Sequence, residues 1–397
     1  MKGTTFQRAL GKGQQFLIDY KRPKLVNAIL RNHIAYRWGR LTPVPVGYVS
    51  FAPTLRCNSR CIMCNIWGED NVRLRVKELS YNQWLKVFSE SKVLREVPPE
   101  LPRNGVTGIG ISGGEPFLYQ DLVPLVQGLL ELPHVRLVTI ATNGQLTDQV
   151  VRGTEAILSR MASQKRLCIR FSLDGPEEIH DKIRGVPNAF QRTWATLQAL
   201  AQLRQDHSQL EILTAAVVQP RNIDYISKFS HLLASQGVQF EWCVLQVAPF
   251  FRNENQDYGY NGYTPEQIQE LICLCDLNKV YGMRQWLANP QKRPIHCFAG
   301  FASVYINYDG TVHPCQTMAT NPERVMGNVV DQSFDAIWKS PQARVVRERV
   351  RKCTHSSCWS GCELAHTFIQ WDMLQKLARI LTLGRLDYYK IWGLKER

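Results

Sequence analysis

Short apolar, β-branched runs alternate along the first two thirds of the chain with stretches in which apolar residues recur every three or four positions. The runs predict strands and the stretches predict helices. The predicted strands are 49–55, 107–112, 136–142, 167–173, 211–218 and 240–247. Helices are predicted between them, among others, at 81–90, 121–132, 148–161, 190–204 and 223–236. This alternation predicts an α/β fold, with a parallel sheet and right-handed crossovers.

The pattern changes after residue 249. Residues 250–263 are aromatic and polar, which is typical of a linker or of a loop over a barrel mouth, and Tyr258, Tyr260 and Tyr263 are candidates there for substrate contact. A helix is predicted from Pro265 to about residue 281. Two short strands are predicted within 304–312, around an Asp-Gly pair that favours a tight hairpin.

Three of the twelve cysteines, Cys57, Cys61 and Cys64, stand in one short loop after the first predicted strand. Three thiolates on one loop can hold three irons of a four-iron cluster and leave the fourth iron without a protein ligand. An open metal position is where substrate chemistry takes place. The alternatives are a zinc site or three unrelated buried cysteines, but no partner pair follows at the distance typical of zinc fingers.

The next strands also end in candidate ligand-binding residues. The second predicted strand runs into Gly113, Gly114, Glu115 and Pro116. Glycines let the backbone come close to a ligand, and the carboxylate is an acceptor for an ammonium group. A plain strand-to-helix connection is the alternative. Asn143 ends the third strand in an Asn-Gly pair that is equally typical of an ordinary turn.

With these motifs, the sequence resembles the radical S-adenosylmethionine (radical SAM) superfamily over most of its length. The resemblance implies a partial (β/α)6 TIM-like barrel in which Cys57, Cys61 and Cys64 bind a [4Fe-4S] cluster. The open iron of that cluster would bind S-adenosylmethionine (AdoMet). One electron then cleaves AdoMet, and the 5′-deoxyadenosyl radical abstracts a hydrogen atom from the substrate. Ile66 and Trp67 would lie near the adenine.

The same resemblance implies roles for other residues. Segment 113–116 is similar to the family's GGEP motif, which binds the AdoMet amino group. Ser172 and Asp174 match the strand that ends beside the ribose, and Asn143 is a further candidate for lining the site. Arg184 would pair with the AdoMet carboxylate through a bidentate fork. An arginine on a helix surface is the alternative for Arg184.

A second cysteine set occupies the last third of the chain, at Cys297, Cys315, Cys353, Cys358 and Cys362. It resembles the SPASM or twitch extension of radical SAM enzymes, which holds auxiliary [4Fe-4S] clusters. Five cysteines suffice for one fully ligated cluster, so one auxiliary cluster is expected, with Cys358 preferred over Cys353 as its fourth ligand. The alternative is a structural zinc ion, because thiolate quartets also suit zinc.

These assignments divide the chain into five segments. They are a basic helical segment 1–47, a core barrel 48–250, a linker with a helix 251–296, a small α+β iron–sulfur extension 297–363 and an amphipathic helical segment 364–397.

The formal net charge of +14 bears on possible partners. The terminal segments hold much of this excess, and residues 7–20, 25–40 and 365–392 have amphipathic helical patterns. Such helices can lie peripherally on an anionic membrane, although docking against the barrel is favoured. Nucleic acid ranks last among partners, since no RNA-binding motif accompanies the charge.

Twelve cysteines without a signal peptide indicate a reducing, cytoplasmic compartment. The prediction is a radical SAM enzyme, an oxidoreductase or a peptide- or carbon-skeleton-modifying type. Its unidentified substrate would be a peptide, a small molecule or a lipid-linked intermediate, and a reductase, flavodoxin or ferredoxin would donate electrons. The alternative is a non-catalytic iron–sulfur scaffold or electron-transfer protein, which would need neither Glu115 nor Arg184 as ligand-binding residues.

Overall fold

The computed structural model describes residues 23–39, 41–45, 48–68, 77–95, 108–253, 263–277 and 296–353. Several predicted features lie outside these ranges, namely the terminal segments 7–20 and 365–392, Tyr258, Tyr260, Cys358 and Cys362.

Six parallel strands form the main sheet. They are β1 (Tyr48–Thr54), β2 (Gly108–Gly113), β3 (Leu137–Thr142), β4 (Arg166–Ser172), β5 (Leu210–Val218) and β6 (Gln239–Val244). Each is hydrogen-bonded in parallel to the next one along the chain. In the described residues β6 and β1 do not pair, so the sheet stays open. The predicted partial (β/α)6 barrel is therefore confirmed.

Helices follow the strands. They are α2 (Tyr81–Glu90), α3 (Lys92–Arg95), α4 (Leu122–Glu131), α5 (Thr147–Leu158), α6 (Glu177–Arg184), α7 (Ala189–Asp206), α8 (Ile223–Ser235) and α9 (Pro265–Leu277). The pattern analysis did not predict α6, which has only eight residues and buries His180, Ile183 and Arg184. The segment has only two apolar residues, Ile179 and Ile183, four positions apart, which is too short a pattern to predict a helix.

The C-terminal part continues the same sheet on the other side of β1. Strand β7 (Ser303–Ile306) runs parallel to β1, and β8 (Thr311–His313) and β9 (Gly327–Asn328) follow in antiparallel order. Gly310 has a left-handed φ of 84° in the turn between β7 and β8, which confirms the predicted hairpin. The remaining helices are α1 (Pro23–Trp38), before β1, and α10 (Phe334–Lys339) and α11 (Pro341–Arg351), after β9.

The two faces of the sheet differ in burial. The outer face carries large apolar residues such as Phe51 and Ile140, which belong to one continuous core under the helices. The inner face carries Ser112, Ala141 and Ala215, which remain partly exposed. A complete barrel fills this space with bulky branched residues. In the described residues, inner-face side chains such as Ser112, Ala141 and Ala215 keep some solvent access, and we call this partly exposed space the lumen.

None of the helices in the described part of the chain is both long enough and apolar enough to cross a membrane.

Candidate active site

The cysteine loop follows β1 and packs against the carboxyl end of α6. Cys61 is buried, and Cys57 and Cys64 are half-buried. The backbone N–H groups of Arg60 and Ile62 donate to the last carbonyls of α6, each at 2.9 Å. Gly185 then turns the chain with a φ of 65°, and a Cβ there would lie 2.2 Å from the carbonyl oxygen of Arg60. The loop and α6 are thereby fixed to each other.

The other side of the loop is held by the segment after β6. Asn253 is fully buried and donates through Nδ2 to the carbonyls of Met63 and Gln246, both at 2.9 Å. Its Oδ1 accepts from the N–H of Ala248 at 2.9 Å. The sequence does not predict this role, because a single asparagine in an irregular loop gives no periodic signal.

The Gly-Gly turn after β2 packs against the start of the cysteine loop. The N–H of Gly114 donates to Thr54 at 3.0 Å and that of Glu115 donates to Arg56 at 2.8 Å. A Cβ on Gly114 would lie 2.1 Å from the carbonyl oxygen of Arg56. The expected reason for this glycine was close approach to a ligand. The structure gives another reason, since the backbone of the turn must lie directly on residues 54–56.

Glu115 is buried at the end of this turn. One carboxylate oxygen accepts from Thr142 Oγ1 at 2.9 Å and the Phe117 N–H at 3.2 Å, and the other accepts from the Asn143 N–H at 2.8 Å. Burial raises the pKa of Glu115 to about 7, although these hydrogen bonds and Arg184 favour the charged form. A cationic ligand would favour it further. The carboxylate is thus suited to an ammonium group.

The end of β3 also contacts the cysteine loop. Asn143 Nδ2 donates to Asn58 Oδ1 at 2.7 Å, and Gln145 Nε2 donates to Ser59 Oγ at 2.9 Å. The structure therefore brings the predicted Asn143 to the site. Asn58, Ser59 and Gln145 were missed, since nothing in their spacing distinguishes them from other polar loop residues.

Arg184 points from α6 into the site. Its Nη2 lies 2.7 Å from Asp174 Oδ2, and its Nη1 lies 3.7 Å from Cys61 Sγ. Burial lowers the pKa of this guanidinium, but Asp174 and Cys61 outweigh burial and raise it. Arg184 Nε has no partner among the described residues. The alternative of a helix-surface arginine is wrong, because Arg184 is only 7% exposed.

The other predicted residues lie around this centre. Asp174 is fully buried, and its second oxygen accepts from the Val217 N–H at 2.9 Å, so it positions Arg184. Ser172 is half-buried at the end of β4, on the inner face. Trp67 lies under the Arg60 guanidinium, 5.1 Å from its ring centre. The hydroxyl of buried Tyr263 donates to Val218 in β5 at 2.9 Å. The predicted AdoMet and substrate contacts of these residues stay predictions.

The chemistry of the three thiols fits an iron–sulfur cluster. Burial, with smaller effects of neighbouring acidic groups, raises the pKa of Cys57 and of Cys64 to about 12. Each is therefore a neutral thiol until a bound cation stabilises the thiolate. Three thiolates on one loop fit a cluster, in which each thiolate binds a different iron.

Three of the auxiliary cysteines lie in the described residues, near β7, β8 and the end of α11. Cys297, Cys315 and Cys353 are half-buried. Gly300 packs against Pro314, where an added Cβ would lie 3.0 Å from the proline Cβ. Contact between these two residues brings the chain after Cys297 to the chain before Cys315. The choice between Cys353 and Cys358 stays a prediction, because Cys358 lies outside the described residues.

Two family models match the chain. The radical SAM superfamily model matches residues 51–232, and that of SPASM, an iron-sulfur cluster-binding domain, matches residues 297–363. An AdoMet-dependent heme synthase of Oleidesulfovibrio alaskensis is 26% identical over 345 residues, 79% of this chain and 81% of its own length. The antilisterial bacteriocin subtilosin biosynthesis protein AlbA of Bacillus subtilis is 22% identical over 363 residues, 86% of this chain and 72% of its own.

Solved structures share the fold. Streptococcus suis SuiB bound to S-adenosylmethionine has a TM-score of 0.56 at 16% identity, covering 79% of this chain and 70% of SuiB. Native anSMEcpe with bound AdoMet has a TM-score of 0.51 at 15% identity, and the match covers 85% of this chain and 98% of anSMEcpe. The chain belongs to the radical SAM enzymes that carry a C-terminal SPASM domain. It is an AdoMet-dependent enzyme with a [4Fe-4S] cluster and auxiliary iron–sulfur binding, as predicted, and the scaffold alternative is set aside.

Proposed function

We propose that Cys57, Cys61 and Cys64 hold the radical-generating cluster, that Glu115 accepts the AdoMet ammonium group and that Arg184 binds the AdoMet carboxylate. When bound, cluster and AdoMet supply a 5′-deoxyadenosyl radical that abstracts a hydrogen atom from the substrate. The observation that carries these roles is the convergence of the cysteine loop, the Gly-Gly turn and α6 through backbone hydrogen bonds. Buried Asp174 positions Arg184, and Ser172 and Asn143 complete the pocket on the ribose side.

The proposed substrate is a peptide whose reacting residue enters the lumen of the open barrel. Small inner-face residues such as Ser112, Ala141 and Ala215 leave room for it. Two solved structures of the same fold hold peptides. They are SuiB bound to precursor peptide SuiA, with a TM-score of 0.56, and anSMEcpe with AdoMet and the Kp18Cys peptide, with a TM-score of 0.50. The AlbA relative belongs to the biosynthesis of a bacteriocin.

A carboxylate-bearing small molecule related to heme is the second candidate. The observation that favours it is Arg170 on the inner face of β4, whose guanidinium is partly exposed and lies 3.4 Å from Glu241 on β6. A carboxylate of the substrate would take the place of Glu241 on this guanidinium, which can bind a carboxylate bidentately. One relative of the chain is an AdoMet-dependent heme synthase, which is the reason for choosing a heme-related molecule among carboxylate-bearing substrates.

For the auxiliary cluster, the proposed ligands are Cys297, Cys315 and Cys362, with Cys358 preferred to Cys353 as the fourth. A reductase, flavodoxin or ferredoxin would supply electrons. Membrane association through the basic terminal segments is a further part of the proposal, supported only by their sequence pattern.

The roles of the core cysteines are tested by anaerobic reconstitution of the triple variant Cys57→Ala, Cys61→Ala and Cys64→Ala. We expect it to lose dithionite-driven formation of 5′-deoxyadenosine and to keep the auxiliary iron. Exposed Cys273 on α9 offers a matched control, since Cys273→Ala removes a thiol away from the site. Wild-type deoxyadenosine formation by the triple variant would refute the assignment.

The substrate class is tested by deuterium transfer. Cells are grown on deuterated medium, and their extract is separated into a peptide fraction and a small-molecule fraction. Each fraction is incubated with the reconstituted enzyme and unlabelled AdoMet, and 5′-deoxyadenosine is analysed by mass spectrometry. Deuterium transferred only from the peptide fraction supports the first candidate, whereas transfer only from the small molecules supports the second.

A further inference from the structure

A basic cleft lies on the outer surface beside the auxiliary cysteines. It has a volume of about 450 Å³ and is formed by the end of α1, the end of α11 and the chain before β7. We call it the α1–α11 cleft. Its lining residues are Tyr36, Arg37, Trp38, His296, Glu348, Arg351 and Lys352.

The α1–α11 cleft carries a positive charge. Its lining has three cationic residues, Arg37, Arg351 and Lys352, and one acidic residue, Glu348, so the formal excess of these lining residues is 3 − 1 = +2. Glu348 is itself paired with Arg351 at 2.9 Å. Arg37 and Lys352 are exposed on the two sides of the cleft. The charge is therefore complementary to an acidic partner, which it would also steer towards the cleft.

Aromatic rings connect the cleft to the auxiliary cysteines. Trp38 is 61% exposed at the rim. Behind it, the Tyr36 ring stacks on Phe298 at 4.6 Å and lies 5.8 Å from the His296 ring. His296 and Phe298 flank Cys297 in the chain, and Lys352 directly precedes Cys353. Two candidate auxiliary ligands, Cys297 and Cys353, are thus each adjacent in the chain to a residue that lines the cleft.

The cleft lies away from the AdoMet site. Tyr48 and Ser303, the first residues of parallel strands β1 and β7, pair with each other. Segments 36–38 and 296–298 precede these strands and so belong to the amino-end side of the sheet. The cysteine loop and Glu115 follow the carboxyl ends of β1 and β2. A protein bound in the cleft would leave the barrel mouth free for AdoMet and substrate.

We propose that the α1–α11 cleft is the docking site of a small acidic electron-carrier protein of the flavodoxin class. In the docked complex, one electron leaves the reduced carrier and enters an iron–sulfur centre of the enzyme, and no covalent bond forms or breaks. Encounters between redox proteins use small, charge-steered interfaces of this kind. The inference rests on the proposed function, because that function supplies the iron–sulfur centre that receives the electron. The docking surface itself is inferred from the charged residues and aromatic rings of the cleft.

The test measures binding of purified oxidised flavodoxin to the reconstituted full-length enzyme, by titration of the flavin fluorescence at low and high salt. Arg37→Glu reverses an exposed charge in the cleft, and we expect the dissociation constant at low salt to rise on the order of tenfold. Arg37→Lys keeps the charge and should bind like wild type. Lys228→Glu is the matched control, because Lys228 is exposed on α8, the helix between β5 and β6, and four strands separate β5 from β7 in the sheet.

Two further measurements separate docking from catalysis. Dithionite-driven formation of 5′-deoxyadenosine should be unchanged in Arg37→Glu, whereas the flavodoxin-driven rate should fall in parallel with affinity. Wild-type flavodoxin affinity in Arg37→Glu would overturn the proposal, as would an equal loss in Lys228→Glu. It would also be overturned if Arg37→Glu lost binding to anionic vesicles while its flavodoxin affinity was unchanged. Loss of the dithionite reaction in wild type would instead contradict the proposed function.

Discussion

The cysteine loop and the auxiliary segment around Cys297 both present thiols, but they are held in different ways. The loop is fixed by backbone hydrogen bonds and by glycines that leave no room for a Cβ. The auxiliary segment depends on a side chain, because buried Arg347 donates from α11 to the carbonyls of Gly300 and Trp338 at 2.7 and 2.9 Å. The cysteine loop thus combines backbone contacts and close-packed glycines with side-chain contacts such as that of Asn253, whereas the auxiliary segment is joined to α11 through one buried arginine.

The largest expected effect comes from adding one methyl group to the loop–α6 junction. Gly185→Ala places a Cβ 2.2 Å from the Arg60 carbonyl oxygen, so the cysteine loop must move. We expect the reconstituted variant to lose 5′-deoxyadenosine formation and the core iron while it keeps the auxiliary iron. Iron and sulfide analysis with a cleavage assay would measure this.

Gly237 provides the control for backbone strain. Its φ of 66° matches the 65° of Gly185, but nothing lies within 4 Å of an added Cβ. Gly237→Ala should therefore cost only the left-handed strain, about 1 kcal/mol, and keep both clusters. If the two alanine variants behaved alike, close packing would not be what fixes the cysteine loop.

The sequence predicted the features that depend on a regular or tightly turned backbone. The six strands, the hairpin at Gly310, the three loop cysteines and the turn at 113–116 were all predicted close to where the structure has them. Each combines a periodic pattern or a glycine with a fixed spacing, and such signals survive in a single sequence. Glu115 and Arg184 were found because they belong to motifs.

Residues that act through side-chain contacts between distant segments were missed. Asn253 reaches Met63, which is 190 positions away in the chain, and Arg347 reaches Gly300. Neither residue has a local pattern, because each partner is brought close only by the fold. The burial of Arg184 was missed for the same reason, since it depends on Asp174 and on the cysteine loop.

The next effect separates the structural role of Arg184 from its ligand role. Arg184→Met leaves the buried Asp174 carboxylate without its cationic partner, which should lower the free energy of unfolding by roughly 3 kcal/mol. The double variant Arg184→Met, Asp174→Asn removes both charges and should recover most of that loss. We expect AdoMet affinity, measured by equilibrium dialysis, to stay weak in both. Recovery of affinity in the double variant would mean that Arg184 only supports the fold.

A smaller effect is expected in the auxiliary region. Burial, with Arg344 nearby, lowers the pKa of Arg347 to about 9, and its guanidinium lies 4.3 Å from the Trp338 ring centre. Arg347→Met removes two hydrogen bonds to buried carbonyls and should cost roughly 2 kcal/mol. We expect loss of the auxiliary iron, with core iron and dithionite-driven AdoMet cleavage retained. An equal loss of core iron would show that the two regions are not held independently.

The smallest effect is a pH dependence that comes from Glu115 alone. Burial raises its pKa to about 7, so the carboxylate that should accept the AdoMet ammonium becomes protonated as the pH falls through 7. AdoMet affinity should drop roughly fivefold from pH 7 to pH 6. The stability of the AdoMet-free protein should change in the opposite direction, because a raised folded-state pKa contributes stability that is present at low pH and lost as the pH rises through 7. Glu115→Gln should bind AdoMet weakly and show neither dependence in dialysis or thermal unfolding. If the AdoMet affinity of the wild-type protein were the same at pH 6 and pH 7, Glu115 would not be the ligand of the ammonium group. The Gly-Gly turn would then serve only to pack against the backbone of residues 54–56.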